Sequence, residues 1–470
     1  MERYDSMQKN KSKAEPKGKQ SNNDCADKDY AEKYGFEYNE YGEVKGLNPN
    51  IYIAEVLKKD FKVVYNHSSD SFYQYRNNVY KQLDDNTVHR KLRNILNGIV
   101  PNSWTLFREN GYMAVLRRMA RRVEFDSDTS KVNFKNGIFD LNTYQLEPHS
   151  EQFLSTIQIP INVDLNADCP LFKKTLCEIF ECSINDEMIK LVGEMFGYCL
   201  TSETKACRAF ILVGMGGNGK SLLCNILRSL VGDENVSALP LRDFESSFRR
   251  LKIVGKSVNL VTENEFGRKG FHTESFKQIV SGDLISAEIK GGRVFDFKPS
   301  AKLIFAMNRL PNTPDKSYGL YRRLIILPFN RTFSGNEENK MLEDELQDEL
   351  QGILTFAIRG LKRLRKNNFN FTIPEKSQKA LDIYFDEIDP IRIFARQFVC
   401  ESPKGRIFNK DAYSRYVSWA TNEGERNNIS QTEFSHRFKS ALRASHVTFT
   451  SGGSNKSGGD RYLGGIKFKK

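Results

Sequence analysis

The run LVGMGGNGKSLL, Leu212 to Leu223, carries Gly214, Gly219, Lys220 and Ser221 at the spacing G-x-x-x-x-G-K-[ST]. Glycines so placed let a backbone curl until its N–H groups point inward at phosphate oxygens. The helix that follows adds the positive end of its dipole. Lys220 is expected to reach the β- and γ-phosphates, and the Ser221 hydroxyl to bind Mg²⁺. The expected nucleotide-binding set is Gly214, Gly217, Asn218, Gly219, Lys220 and Ser221. A glycine-rich turn without a ligand is the competing reading. The apolar strand before the loop and the helical run after it weigh against that.

Two further apolar runs end in residues suited to phosphate chemistry. SVNLVTENE ends in Glu263, with Glu265 two residues on. A carboxylate at the end of a strand beside the loop can hold Mg²⁺ or polarise the attacking water. Glu263 is favoured for the metal and Glu265 as its partner, although the roles could be exchanged. KLIFAMN ends in Asn308, an amide able to contact the γ-phosphate or orient water without adding negative charge. Arg322 and Arg323 precede the strand LIILPF. Guanidiniums suit a developing phosphoryl charge, but this position favours a neighbour's phosphate over their own. An arginine supplied in trans implies a ring. Between these strands, ISAEIKGGRVFDF reads as a hairpin about Gly291-Gly292, with Lys290 and Arg293 at its tip. Around a ring, such tips would line the hole and could grip a sugar–phosphate backbone.

The elements that position these groups follow from periodicity. Of 470 residues, 39% are hydrophobic and 28% charged, which are globular values. The net charge of +12 favours a polyanionic partner. Eight cysteines without a CxxC pair read as reduced thiols rather than a zinc site or disulfide scaffold. No long apolar run predicts a signal peptide or membrane span, so no membrane partner is expected. Residues 1–45 are polar and lysine-rich and read as a disordered basic tail. Residues 46–200 read as a mixed, mainly helical N-terminal domain, with a hairpin at Asn77-Asn78. Residues 201–335 alternate buried strands with helices, the α/β pattern of a sheet covered on both faces. Residues 336–384 read as a helical lid or linker.

Residues 385–470 read as a winged-helix domain. Ser430 and Glu433 form a capping box ahead of a helix whose buried stripe is Phe434, Phe438 and Leu442. Arg437 and Lys439 lie off that stripe and are the expected DNA contacts. The helix could enter a major groove while the glycine-rich loop SGGSNKSGGD lies along the backbone.

The order GNGKS, strand-Glu, FKQIVSGD, cationic hairpin, strand-Asn-Arg-Leu-Pro, RRLIILPF resembles the superfamily 3 DNA helicases. It is closest to those of phages, plasmids and mobile islands and to the helicase half of poxvirus-type primase–helicases. NFKNGIFDL…LEPHS and LVGEMFGYCL resemble the domain preceding the ATPase in these proteins. The resemblance covers roughly residues 70 to 380. It implies a homo-hexameric ring with an AAA+-like core, ATP and Mg²⁺ at subunit interfaces, and movement on single-stranded DNA. By motif match, Lys220 and Ser221 take the phosphate and metal roles, Glu263 with Glu265 the acidic motif, and Asn308 the sensor. Arg322 or Arg323 takes the trans finger and Lys290 the DNA contact. Many relatives carry an upstream primase domain, for which the preceding residues are too few. A separate primase or polymerase is therefore an expected partner, as is the cytoplasm of a bacterial host.

The expected function is an ATP-driven helicase of a mobile element acting on single-stranded and forked DNA. The alternative is an origin-binding initiator that holds duplex DNA through its C-terminal domain and remodels partners without unwinding. A GTPase is disfavoured because no N-K-x-D motif occurs, and an ABC ATPase because no LSGGQ-like signature does.

Overall fold

The computed structural model describes residues 22–262, 272–289, 292, 294–334, 339–423, 429–453 and 461–469. The chain divides into two compact units. One holds the chain up to Gln74 together with Lys81–Val123, and the other holds Tyr75–Tyr80 and Glu124 onward.

In the smaller unit, Val88, Leu92 and Leu96 recur every four residues along the helix Asp85–Ile99 and are fully buried. Asp84 caps that helix, its carboxylate accepting from Thr87 N at 2.9 Å. The stripe packs with Tyr52, Ile53, Tyr112 and Leu116. Ordered structure lies within the segment 1–45 that was expected to be a disordered tail. Asn22–Lys33 is helical, Phe36–Tyr38 pairs with Val44–Leu47, and Ala31, Tyr34 and Phe36 enter the same core. Three apolar anchors among Lys, Glu and Asn suffice to order a segment whose mean composition is polar. Residues 1–21 lie outside the described residues. The hairpin expected at Asn77-Asn78 forms between Ser71–Arg76 and Val79–Leu83, with both asparagines at positive φ.

The larger unit is built on a parallel sheet. Helices α1 (Pro170–Phe180) and α2 (Glu187–Cys199) lead to β1 (Ala209–Val213), the phosphate-loop segment and α3 (Lys220–Val231). Strands β2 (Val236–Ser237) and β3 (Val258–Val261) follow, then α4 (Glu274–Ser281). The hairpin β4 (Ile285–Glu288) and β5 (Val294–Phe297) precedes β6 (Lys302–Met307), α5 (Tyr318–Tyr321) and β7 (Leu324–Pro328). The five-stranded order is β2-β3-β6-β1-β7, all parallel. Its strands are continuous apolar runs because alternate residues feed different cores. Phe210, Leu212, Ile304 and Leu327 enter one core, whereas Ala209, Ile211, Phe305 and Ile326 enter the other.

The first of these cores also contains Phe172, Leu176 and Phe196 of α1 and α2, and Leu354 and Leu361 of α6 (Leu350–Lys366). The domain boundary expected at 200 therefore falls inside one core. Glycines make the α2–α6 crossing possible: a Cβ on Gly197 would lie 2.3 Å from Ala357 O. Helix α7 (Glu375–Ile388) packs its Leu381, Tyr384 and Phe385 into the second core.

The C-terminal residues form α8 (Pro390–Phe398), β8 (Val399–Phe408), α9 (Asn409–Asn422), α10 (Gln431–Ala444), β9 (Thr450–Gly452) and β10 (Tyr462–Phe468). The strands pair antiparallel in the order β8-β10-β9. Ser430 caps α10 by accepting from Glu433 N at 3.2 Å, and Phe434, Phe438 and Leu442 are buried beside Phe394. Among the described residues no helix is long and apolar enough to cross a membrane.

Candidate nucleotide-binding site

The loop between β1 and α3 rims a cavity of about 1040 Å³. Gly217 and Gly219 stand at φ +67° and +84°, a left-handed backbone that glycine adopts without strain. At Gly214 a Cβ would lie 2.3 Å from Phe329 O, so the close approach of loop and β7 terminus requires glycine. The Lys220 ammonium donates to Gly214 O at 2.6 Å, Asn218 Oδ1 at 2.9 Å and Met215 O at 3.1 Å. These are weak acceptors that a phosphate oxyanion would outcompete. Burial pulls the Lys220 ammonium below its ordinary pKa, and anionic phosphates beside it would favour the charged form again. Asn218 is buried and spans the loop, its Nδ2 donating to Phe329 O at 3.2 Å. Phe333 N donates to Gly217 O at 2.7 Å, a second tie from beyond β7.

Ser221, Thr262 and Asn308 line the same cavity from α3, β3 and β6, the two outer positions being the ends of adjacent strands. Hydroxyl and amide oxygens are hard donors of the kind Mg²⁺ takes, which fits Ser221 as a metal ligand. Thr262 is the residue before Glu263 in the sequence. Glu263 and Glu265 lie outside the described residues, as do the hairpin-tip residues Lys290 and Arg293. Of the hairpin itself, Ile285 pairs with Phe297 and Glu288 with Val294. Helix α1 supplies the opposite wall through Thr175, Glu178 and Ile179. The sequence pattern alone puts α1 in a separate domain and does not reveal this contribution. Arg309, to which the sequence alone assigns no role, also lines the cavity beside Asn308.

Arg322 and Arg323 do not line this cavity. The register Ala209↔Leu324 puts them at the entering edge of the sheet, the end opposite the loop. They differ from each other. Arg323 donates to Gly319 O at 2.7 Å and Ser281 Oγ at 2.9 Å. Arg322 is exposed, and its guanidinium has no hydrogen bond or ion pair among the described residues. Arg208, immediately before β1, lies alongside, since Ala209 N donates to Arg323 O at 2.7 Å. Burial, and after it the nearby Arg322 charge, lowers the Arg208 pKa. The sequence signal was available in the cationic start of RAFILV.

Arg437, expected to touch DNA, is instead committed within the fold. Its Nη2 donates to Asp389 Oδ1 at 2.5 Å and its Nη1 to Glu433 Oε1 at 3.3 Å. Asp389 is 1% exposed, and a buried carboxylate in need of a cation captures the nearest arginine. Lys439 is half-buried, without a partner among the described residues.

A parallel α/β sheet with a glycine-rich loop feeding a helix N-terminus defines a phosphate-loop nucleotide-binding fold. Two family models match: "D5 N terminal like" over residues 52–181 and a family of unknown function (DUF5906) over residues 212–323. A protein of Acanthamoeba polyphaga mimivirus named as a helicase, L207/L206, is 22% identical over 313 residues, 62% of this chain and 31% of its own length. Another from Invertebrate iridescent virus 6, named as helicase 184R, is 22% identical over 379 residues, 69% of this chain and 38% of its own. The chain thus spans about a third of the length of these curated relatives. The NrS-1 C-terminal region matches over 88% of this chain and 99% of that one, with a TM-score of 0.52 and 14% identity, a likeness of fold. The chain is thus similar to viral proteins named as helicases, and part of it matches the D5 N-terminal-like family.

Proposed function

We propose that the protein is an ATP- and Mg²⁺-dependent replicative DNA helicase that works as a homo-hexameric ring. It draws single-stranded DNA through the ring and unwinds forked duplex. The observation that carries this reading is the separation of Arg322 from its own loop. The two lie beyond opposite ends of β1, a strand of five residues that spans about 17 Å at a rise of ~3.3 Å per residue. A free guanidinium out of reach of its own phosphates is suited to those of a neighbour.

In this reading the loop N–H groups and Lys220 hold the β- and γ-phosphates. Ser221 and Glu263 hold Mg²⁺, which neutralises phosphate charge. Glu265 and Asn308 orient the attacking water. Arg322 of the adjacent subunit meets the charge that develops on the transferred phosphoryl group. Arg323, bonded within its own subunit, sets the position of the strand rather than the chemistry. Lys290 and Arg293 grip the threaded backbone.

A second reading rests on the C-terminal elements, three helices with the β8-β10-β9 sheet, a grouping that fits a winged helix. Under it the chain is an origin-binding initiator that holds duplex DNA through Lys439 and remodels partners without unwinding. In either case a primase or polymerase would be engaged, in the cytoplasm of the host cell.

The deciding experiment is strand displacement on a forked duplex with and without ATP, beside ATPase measured with single-stranded DNA. The helicase reading expects ATP-dependent displacement that vanishes in Lys220→Ala. DNA-stimulated hydrolysis without displacement would favour the initiator. A monomer whose turnover ignores DNA would refute both.

A further inference from the structure

The short helix α5 ends at Tyr321, so whatever fixes α5 fixes the root of Arg322. Its own length gives it little rigidity, since four residues close hardly one turn. The remainder comes from the C-terminal third of the chain. Tyr318 N, one of the donors that a helix start leaves unsatisfied, donates to Ser440 Oγ of α10 at 2.5 Å. Tyr321 OH donates to Asp382 Oδ1 of α7 at 2.8 Å and accepts from Gln378 Nε2 at 2.6 Å. The Arg392 guanidinium of α8, 6% exposed, lies 4.5 Å above the Tyr321 ring and 5.3 Å from the Phe385 ring. It also donates to Asp382 Oδ1 at 3.0 Å. Ala444 of α10 is buried in the same core as Leu320 and Tyr321. Helix α10, the element that could read DNA, thus spends one face on the helix that carries Arg322.

We propose that Arg392 and Ser440 are positioning residues for the trans arginine, and that α8 and α10 form the bracket that sets its reach into the neighbouring subunit. This rests on the reading of Arg322 as a group acting in trans. The geometry favours it over simple packing because three separate grips, on the first N–H, the ring face and the hydroxyl of α5, converge on four residues. The free Arg322 follows directly.

The test uses full-length chains, singly and mixed. Arg322→Ala, Arg392→Gln, Ser440→Ala and Lys220→Ala are purified and their melting temperatures measured. Arg392→Gln keeps hydrogen-bond donors for Asp382, and Ser440→Ala is the mild variant should the first fold poorly. A misplacement of about 1 Å at a reacting centre costs up to ~100-fold, so kcat is expected to fall about 10- to 100-fold in Arg392→Gln and less in Ser440→Ala. KM for ATP should hold, because each subunit's own loop is intact. Mixed with Lys220→Ala, which has a sound Arg322 but a dead loop, both variants should regain rate as Arg322→Ala does. A defect confined to folding would lower the melting temperature and would not be rescued. If Arg322→Ala is rescued but Arg392→Gln and Ser440→Ala turn over normally, or are slow and stay slow in the mixture, the bracket is overturned while the trans reading stands. If Arg322→Ala itself is not rescued, the trans reading fails and the bracket with it.

Discussion

Gly360 crosses Gly193 so closely that a Cβ on Gly360 would lie 2.0 Å from the Gly193 carbonyl oxygen. Both are backbone positions, so neither can swing aside. Gly360→Ala is therefore expected to push α6 off α2 and to destabilise the larger unit by about 1–3 kcal/mol or more. Urea unfolding of the full chain would measure it. Ala at Gly98, which has nothing within 4 Å, serves as the control and should not destabilise. Equal losses at both positions would refute the packing argument.

Asn218 joins Lys220 to Phe329 through one amide, accepting from the first and donating to the second. Asn218→Asp removes the donor and sets a carboxylate beneath the phosphates. Loss of one buried hydrogen bond plus like-charge repulsion should weaken nucleotide binding by roughly 2–4 kcal/mol, with Asn218→Ala less affected. Fluorescent-nucleotide titration would read this, and unchanged affinity in Asn218→Asp would show that the amide does not shape the loop.

Lys302 opens β6 from inside the protein. Its ammonium donates to Thr201 O at 2.7 Å and Ser300 O at 2.6 Å, 4.8 Å from the Tyr198 ring centroid. Burial nevertheless lowers its pKa from the ordinary 10.5 to about 7. Between those values the unfolded chain holds a proton that the folded chain has lost, so stability from this group rises with pH across that window. Below about 7 the cost of burying the charge is present in full. Denaturant unfolding of Lys302→Met and the parent at pH 7 and pH 9 should show Lys302→Met relatively most stable at the lower pH. The gap should narrow as pH rises, and a constant gap would contradict the assignment.

Arg437→Ala strands Asp389, a carboxylate 1% exposed, without its cation. A buried pair broken on one side typically costs about 3–5 kcal/mol, so thermal stability should fall sharply. Lys439→Ala should leave the melting point unchanged. If the C-terminal elements hold DNA as proposed, it should weaken binding alike for all sequences and reduce the salt slope by about one. Reversed behaviour of the two would restore Arg437 as the DNA contact.

Local signals in the sequence are enough to find the elements around the candidate site. The loop spacing, the strand ending in Asn308 and the strand after Arg323 are each short, contiguous and physically constrained, and all are read correctly as elements. What escaped is what depends on distant pairing. Nothing in the residues around Arg437 announces a buried Asp389 almost fifty positions earlier. Nothing in PLFKKTLCEIF says that this helix packs on a sheet that begins thirty residues later. The early helix at Asn22–Lys33 was missed because averages over polar stretches hide a few well-placed aromatics.

The shared core of α1, α2 and α6 with the sheet has a practical consequence for anyone dissecting the gene. A fragment begun at 201, where the α/β pattern starts, would expose the greasy underside of its own sheet and precipitate. A fragment that keeps α1, α2 and α6 leaves that underside clothed.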